Sequence, residues 1–215
     1  GLAFDGTGYG EDGAIWGGEF LLADYHGFRR LAHLRYAPLP GGDAAIRRPA
    51  RTALAYLWQC GLEWLPELPP CQELCADDRS MLLSQLEHGI NSPPTSSLGR
   101  LFDAAAALAG VRQRVNYEAQ AAIEFEALID PQESGAYPFE LSGGDPITID
   151  YTQCLQDLVD DVLRGVPTGA IAARFHNGLA DMALAVCRRL RQQTGVDAVA
   201  LSGGVWQNRA LLRRV

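Results

Sequence analysis

Lysine is absent from these 215 residues, and all 18 basic side chains are arginine. Without an ε-amine there is no Schiff-base nucleophile and no P-loop lysine. Positive charge is in short supply as well, since 26 acidic residues leave a net charge of −8. That balance argues against a nucleic-acid binder and against a polybasic membrane anchor. No apolar run approaches the roughly 20 residues of a bilayer span, and no signal-peptide pattern opens the chain, so a cytoplasmic setting is expected. Histidine is scarce: His26, His33, His88 and His176 are scattered without metal-ligand or hydrolase spacing, and His176, beside Phe175, reads as a satisfied structural residue. Gly-x-Ser-x-Gly is missing, which removes Ser202 as an elbow nucleophile. Five cysteines are an odd number without a dense framework, as in a reducing compartment. Cys71 and Cys75 are too loosely spaced, with no second pair, for a zinc site, and they read as ordinary thiols.

What is present suffices for one or two packed domains, with 47% apolar and 20% charged residues. The chain opens without Met inside an extended run and stops in helical Leu211–Val215 without a capping glycine, so it reads as a piece of a longer protein. Residues 1–36 alternate as a strand meander, and Pro38–Gly42 punctuates it. A helix is expected over 43–60, a proline-rich bridge at 66–70, and another helix near 77–89. Loop 91–97 precedes an apolar helix at 98–109 and a further one at 118–129. Short strands follow near Tyr137–Leu141 and Ile147–Ile149, then helices at 151–164 and 167–193. Asp197–Leu201 is expected as a strand, turning through Ser202-Gly203-Gly204 into a last helix. A meander, several helices and a late strand–glycine–helix unit imply an α/β fold.

Three stretches bear on chemistry. In Asp5-Gly6-Thr7-Gly8-Tyr9-Gly10-Glu11-Asp12-Gly13, four glycines let backbone N–H groups approach a ligand closely, a device suited to phosphate oxygens. Asp5, Glu11 and Asp12 would repel a bare phosphate, which a divalent metal held by a carboxylate would resolve. A β-hairpin with a solvated acidic tip fits the same residues. Leu201-Ser202-Gly203-Gly204-Val205-Trp206-Gln207-Asn208 is either a nucleotide seat at the carboxyl end of a strand or a tight turn that merely needs glycine. Asp103, on the apolar helix, needs a partner such as Arg100 or a ligand hydroxyl. Glu118 and Glu124 on the next helix are candidates to face the same cleft or to lie solvated on its surface.

These blocks, with Ile15-Trp16-Gly17-Gly18-Glu19-Phe20, Thr95–Ala104 and Tyr117–Glu124, resemble in order the C-terminal region of the HypF carbamoyltransferases of nickel–iron hydrogenase maturation. The resemblance implies an α/β fold of the actin/hexokinase/Hsp70-like ATPase superfamily, related to TsaD. The chain would cover mainly the second lobe: a β-meander (1–36), a helical insertion (43–94) and a nucleotide-facing part (95–215). It implies a carbamoyl-adenylate made from carbamoyl phosphate and ATP, with transfer to the C-terminal cysteine of a HypE-like acceptor. By the same resemblance Asp5 is a catalytic, metal-coordinating aspartate for iron or zinc. Gly6, Thr7, Gly8 and Gly10 would lie near the phosphate, Asp103 and Glu124 at the ribose hydroxyls, and Gly203, Gly204 and Asn208 against the adenosine. The family's His-His-His-Ala-His motif and a further metal aspartate are missing from these residues, so the piece is expected to be inactive alone. Two other readings are a small-molecule O-carbamoyltransferase of the same superfamily and a non-catalytic module that docks a HypE-like partner.

Overall fold

Leu2–Tyr9 (β1), Ile15–Ala23 (β2) and Phe28–Leu34 (β3) form the expected antiparallel meander in the computed structural model, which describes residues 1–215. Alternation sets its faces: Leu2 and Phe4 point into the core while Ala3 and Asp5 are half-exposed. Ala37–Pro38 (β4) leads into four helices: Asp43–Arg47 (α1), Pro49–Cys60 (α2), Pro69–Glu73 (α3) and Ala76–Glu87 (α4).

The single helix expected over 43–60 is broken. Pro49 lacks an N–H and disfavours helical backbone at the residue before it, and Arg48 accordingly sits at φ −128°, ψ 77°. Prolines also explain α3, which the sequence reading treats as a bridge: Pro69 and Pro70 occupy its first turn, where no backbone donor is needed. Cys75 has a local task, its sulfur accepting from the Asp78 N–H at the start of α4.

Pro94–Thr95 (β5) pairs with β2 and β4, and Leu98–Leu108 (α5) runs into the centre of the molecule. Ten of its eleven residues are buried, and the Ala104–Ala107 run allows close approach of α2. Gln120–Ala127 (α6), Glu140–Leu141 (β6), Ile147–Asp150 (β7), Thr152–Leu163 (α7) and the long Thr168–Thr194 (α8) follow. Gly195, in the left-handed conformation, ends α8. The strand expected from Asp197 is reduced to Leu201–Ser202 (β8), because only this dipeptide pairs with β1. Arg209–Leu212 (α9) closes the chain after a 3-10 turn at Gly204–Gln207.

All eight strands join one sheet. Its path is β4-β5-β2-β3-β7-β6, while β1 bridges β2 and the parallel β8. One cluster of 46 buried side chains unites residues of the meander, α2–α4, α5 and α8. No helix is long and apolar enough to cross a membrane.

Candidate functional site

Between Phe4 and Gly8 the β1–β2 register slips. Phe4 faces Gly18 and Gly8 faces Trp16, so Asp5, Gly6 and Thr7 stand opposite Gly17 alone. Such a surplus re-aims side chains out of the ladder. The Ser97 hydroxyl ties the displaced segment down, lying 2.6 Å from the Asp5 carbonyl and 2.8 Å from that of Gly6. The same oxygen accepts from the Arg100 N–H and caps α5. A Cβ on Gly99 would lie 2.7 Å from Gly6 Cα, so glycine at both positions lets the first turn of α5 rest on the bulge. From the other side β8 closes on β1. Gly203 makes the turn at φ +101°, and a Cβ there would lie 2.1 Å from the Phe4 carbonyl oxygen. Trp206 then stacks on Phe4 at 4.9 Å between centroids and donates to the Leu2 carbonyl.

These contacts leave a cavity of about 490 Å³, within the usual range for a small-ligand site. Asp5 and Gly6 line it from the bulge, Arg100 and Asp103 from α5, Glu118 and Ala119 from the entry to α6. Gly204, Gln207 and Asn208 line it from the strand–turn–helix side. Asp103 is 3% exposed and ion-paired to Arg100 at 2.8 Å. Burial pushes its carboxyl up to about 6 despite the guanidinium, and Glu118 adds to the rise. Asn208 is held at both ends: its Oδ1 accepts from the Leu211 N–H, capping α9, and its amide contacts His176 Nε2 at 2.9 Å.

The structure brings together five of the expected site residues: Asp5, Gly6, Asp103, Gly204 and Asn208. Glu118 joins them. Glu124 does not. It forms a bidentate pair with Arg112 at 2.7–2.8 Å beside a separate, shallow depression. Hydrogen bonds from Arg112 and Gln120 hold its carboxyl below the usual range. The cause is helical geometry: Ala119, Ala122, Ile123 and Glu126 form the stripe facing the cavity, and residue 124 lies off it. Glu126 itself accepts from the Ala210 N–H.

Thr7, Gly8 and Gly10 also lie outside the lining, because the hairpin uses its glycines for packing. A Cβ on Gly10 would fall 2.3 Å from Trp16 Nε1, and one on Gly8 3.0 Å from the Trp16 carbonyl. Gly203 shapes the wall without lining it. The acidic tip is not one cluster either. Asp12 is bound by the Tyr36 hydroxyl, Trp16 Nε1 and Arg30. Its partial burial is outweighed by those hydrogen bonds, and its carboxyl lies below the usual range.

Sequence reasoning assigned no task to Glu19. It is 1% exposed and accepts from four donors: the Gly17 and Gly18 N–H groups, Arg30 and the Ser96 hydroxyl. Arg30 in turn lies 4.1 Å above the Trp16 ring. Glu19 thereby locks the β2 segment opposite the bulge to the loop that carries Ser97. A Glu and an Arg that both fall inside predicted strands of the meander were the available signal.

No group of three or more histidine, cysteine, aspartate or glutamate side chains is placed to hold a metal ion. Asp5, whose Oδ1 accepts from the Gly6 N–H at 2.7 Å, does not make a metal centre from these residues alone.

The cavity lies between a bulged meander, a buried helix and a strand–turn–helix unit, and the class that the chain with this arrangement matches is a Kae1-like subdomain. Over residues 1–215 the chain matches the family described as carbamoyltransferase, Kae1-like domain, second subdomain, and it belongs to the HypF carbamoyltransferase family. It is 42% identical over 217 residues to the carbamoyltransferase HypF of Rhizobium leguminosarum bv. viciae, covering 98% of this chain and 27% of that protein. With HypF of Synechocystis sp. the identity is 37%, covering 99% of this chain and 29% of that one. A crystal structure of full-length HypF in its phosphate- and nucleotide-bound form superposes with a TM-score of 0.92 at 39% identity, over 99% of this chain and 33% of that chain. The chain thus spans about a quarter to a third of each of these three proteins.

Proposed function

We propose that this chain is the part of an ATP-dependent carbamoyltransferase that holds the nucleoside end of a carbamoyl-adenylate during transfer to a protein thiol. The observation that carries the reading is the meeting of Asp5, Gly6, Asp103, Gly204 and Asn208, from three separate segments, in one cavity. The similar full-length HypF, whose crystal structure is of a phosphate- and nucleotide-bound form, supports it.

In the proposed step the acceptor, the C-terminal cysteine of a HypE-like protein, loses its thiol proton to solvent. Its sulfur bonds to the carbamoyl carbon, the carbon–oxygen bond to the phosphate breaks, and AMP leaves. The adenylate supplies the leaving group, so positioning carries much of the work. Asp103 and Glu118 offer carboxylate oxygens to the donors of a ribose, and the glycines leave room for a flat base. No serine, threonine, cysteine, lysine or histidine lines the cavity, in keeping with a thiol supplied by a partner. Asp5 is proposed as one carboxylate of an iron or zinc site whose remaining donors lie outside these residues, and no step is derived through it.

Replacing Asp5 by Ala in the full-length protein is expected to abolish transfer while leaving carbamoyl-phosphate cleavage intact. Equal loss of both reactions would overturn the assignment. Expressed alone, the 215 residues are expected to bind ATP weakly and not to turn over. Tight metal-dependent ATP binding in calorimetry would contradict that expectation.

A further inference from the structure

Asn208 lines the cavity from the start of α9, and its amide is engaged from behind by a histidine that does not line it. His176 belongs to α8, is fully buried, and sits among the rings of Phe102, Phe125 and Phe175. Its Nδ1 lies 2.7 Å from the Ala172 carbonyl and its Nε2 2.9 Å from Asn208 Nδ2.

A carbonyl only accepts, so Nδ1 carries the proton, and the neutral ring then presents a lone pair at Nε2. That lone pair takes one N–H of the Asn208 amide. Asn208 Oδ1 is left to accept from the Leu211 N–H at 2.9 Å. Reversing the amide would set its nitrogen against the Leu211 N–H and break the α9 cap, so the polarity of the chain is determined at every link. Burial keeps His176 neutral, pushing it down to about 4. One N–H of Asn208 remains without a protein partner.

We infer that His176 is a positioning residue: through its Nε2 it fixes the Asn208 amide so that the cavity presents a hydrogen-bond donor, which selects a ligand group that accepts. A ring nitrogen or an oxygen of a nucleotide meets that demand. The inference rests on the proposed nucleotide site and adds a residue behind it.

The test uses full-length protein and AMP. His176→Phe keeps a buried ring and removes the acceptor, and is expected to weaken AMP about tenfold, the value of one buried hydrogen bond. In an Asn208→Ser background, where the α9 cap is kept but Nε2 is out of reach, the same change is expected to matter less than about twofold. Equal weakening in both backgrounds, or none in the first, overturns the inference. Should His176→Phe fail to fold, His176→Gln decides: its Oε1 replaces the acceptor, and AMP binding within about threefold of the parent is expected, a larger loss counting against the role. Selective 15N-histidine labelling gives a readout free of ligand. A proton on Nδ1 of His176 is expected, and a proton on Nε2 refutes the inference. If the parent protein does not bind AMP, the nucleotide reading of the cavity fails, and the tautomer alone still judges His176.

Discussion

Glu19→Gln should loosen the wall opposite the bulge. Both carboxylate oxygens of Glu19 face donors only: Oε2 takes the Gly17 and Gly18 N–H groups, and Oε1 takes Arg30 Nη2 and the Ser96 hydroxyl. Glutamine puts an NH2 where one oxygen was: turned toward Gly17 and Gly18 it leaves two N–H donors unmet, and turned the other way it leaves only Arg30 unmet, because the Ser96 hydroxyl can rotate and accept. Each buried donor left unmet costs about 1–3 kcal/mol, and the cheaper orientation leaves one. Arg30 retains Asp12 as a second anion at 3.3 Å, which places the loss toward the lower half. Hydrogen exchange by mass spectrometry on the full-length protein reads this locally. Peptides over 15–23 and 94–100 are expected to exchange about five- to thirtyfold faster, at 1.4 kcal/mol per factor of ten, while those of α4 stay unchanged. Acceleration below about threefold would show that the four contacts do not hold the loop, and the account of how Asp5 is positioned would fall with it.

Gly203→Ala combines a positive φ of 101° with a Cβ 2.1 Å from the Phe4 oxygen. It should cost about 2–5 kcal/mol and release β8 from β1, and near-wild-type exchange at Leu2–Phe4 would refute this. Asp103, raised to about 6, binds its proton more tightly in the folded protein than in the unfolded chain. Its contribution to stability is therefore fully present below its unfolded value near 3.8 and is lost as pH rises through 6, by about 3 kcal/mol. Asp12, Glu124, Glu133 and Asp150 shift the opposite way, so the effect is read as wild type minus Asp103→Asn in urea unfolding at pH 4 and 7. A flat difference excludes it. Glu124→Gln should leave AMP affinity within about twofold of the parent, because its pair with Arg112 is solvent-facing, and a tenfold loss measured by calorimetry would return Glu124 to the site.

Local pattern carried the elements whose stability is local. Leu98, Leu101, Phe102, Ala105 and Leu108 repeat at helical spacing, and α5 is found at 98–108. Two glycines after an apolar run announced the β8 turn. The helix break at Pro49 is legible, since the residue before a proline resists helical backbone. Glu124 was legible too: residues 124 and 126 lie about 200° apart around a helix and cannot both face one cavity. The bulge at Asp5 and the Glu19–Arg30–Ser96 cluster were not legible. They depend on the β2–β3 register and on a loop 77 residues along the chain from Glu19. The hairpin glycines misled for a related reason, because glycine that admits a ligand and glycine that admits Trp16 look alike in sequence.

The charge of the cavity bears on which end of a nucleotide it would suit. Four carboxylates line it, Asp5, Asp103, Glu118 and Glu126, against the guanidiniums of Arg100 and Arg209. Arg100 is committed to Asp103, and Glu126 is occupied by the Ala210 N–H. Asp5 and Glu118 are left facing the space, with Arg209 as the remaining cation. Carboxylates accept from hydroxyls and repel phosphate oxygens, so ribose suits this lining and a polyphosphate does not. The Asn208 N–H, aligned by His176, adds a donor from the strand–turn–helix unit. A nucleoside placed between Asp103 and Asn208, with its phosphate directed toward Asp5, would therefore require cations contributed from beyond these residues. That requirement is the physical reason for expecting the isolated chain to grip adenosine about as well as ATP.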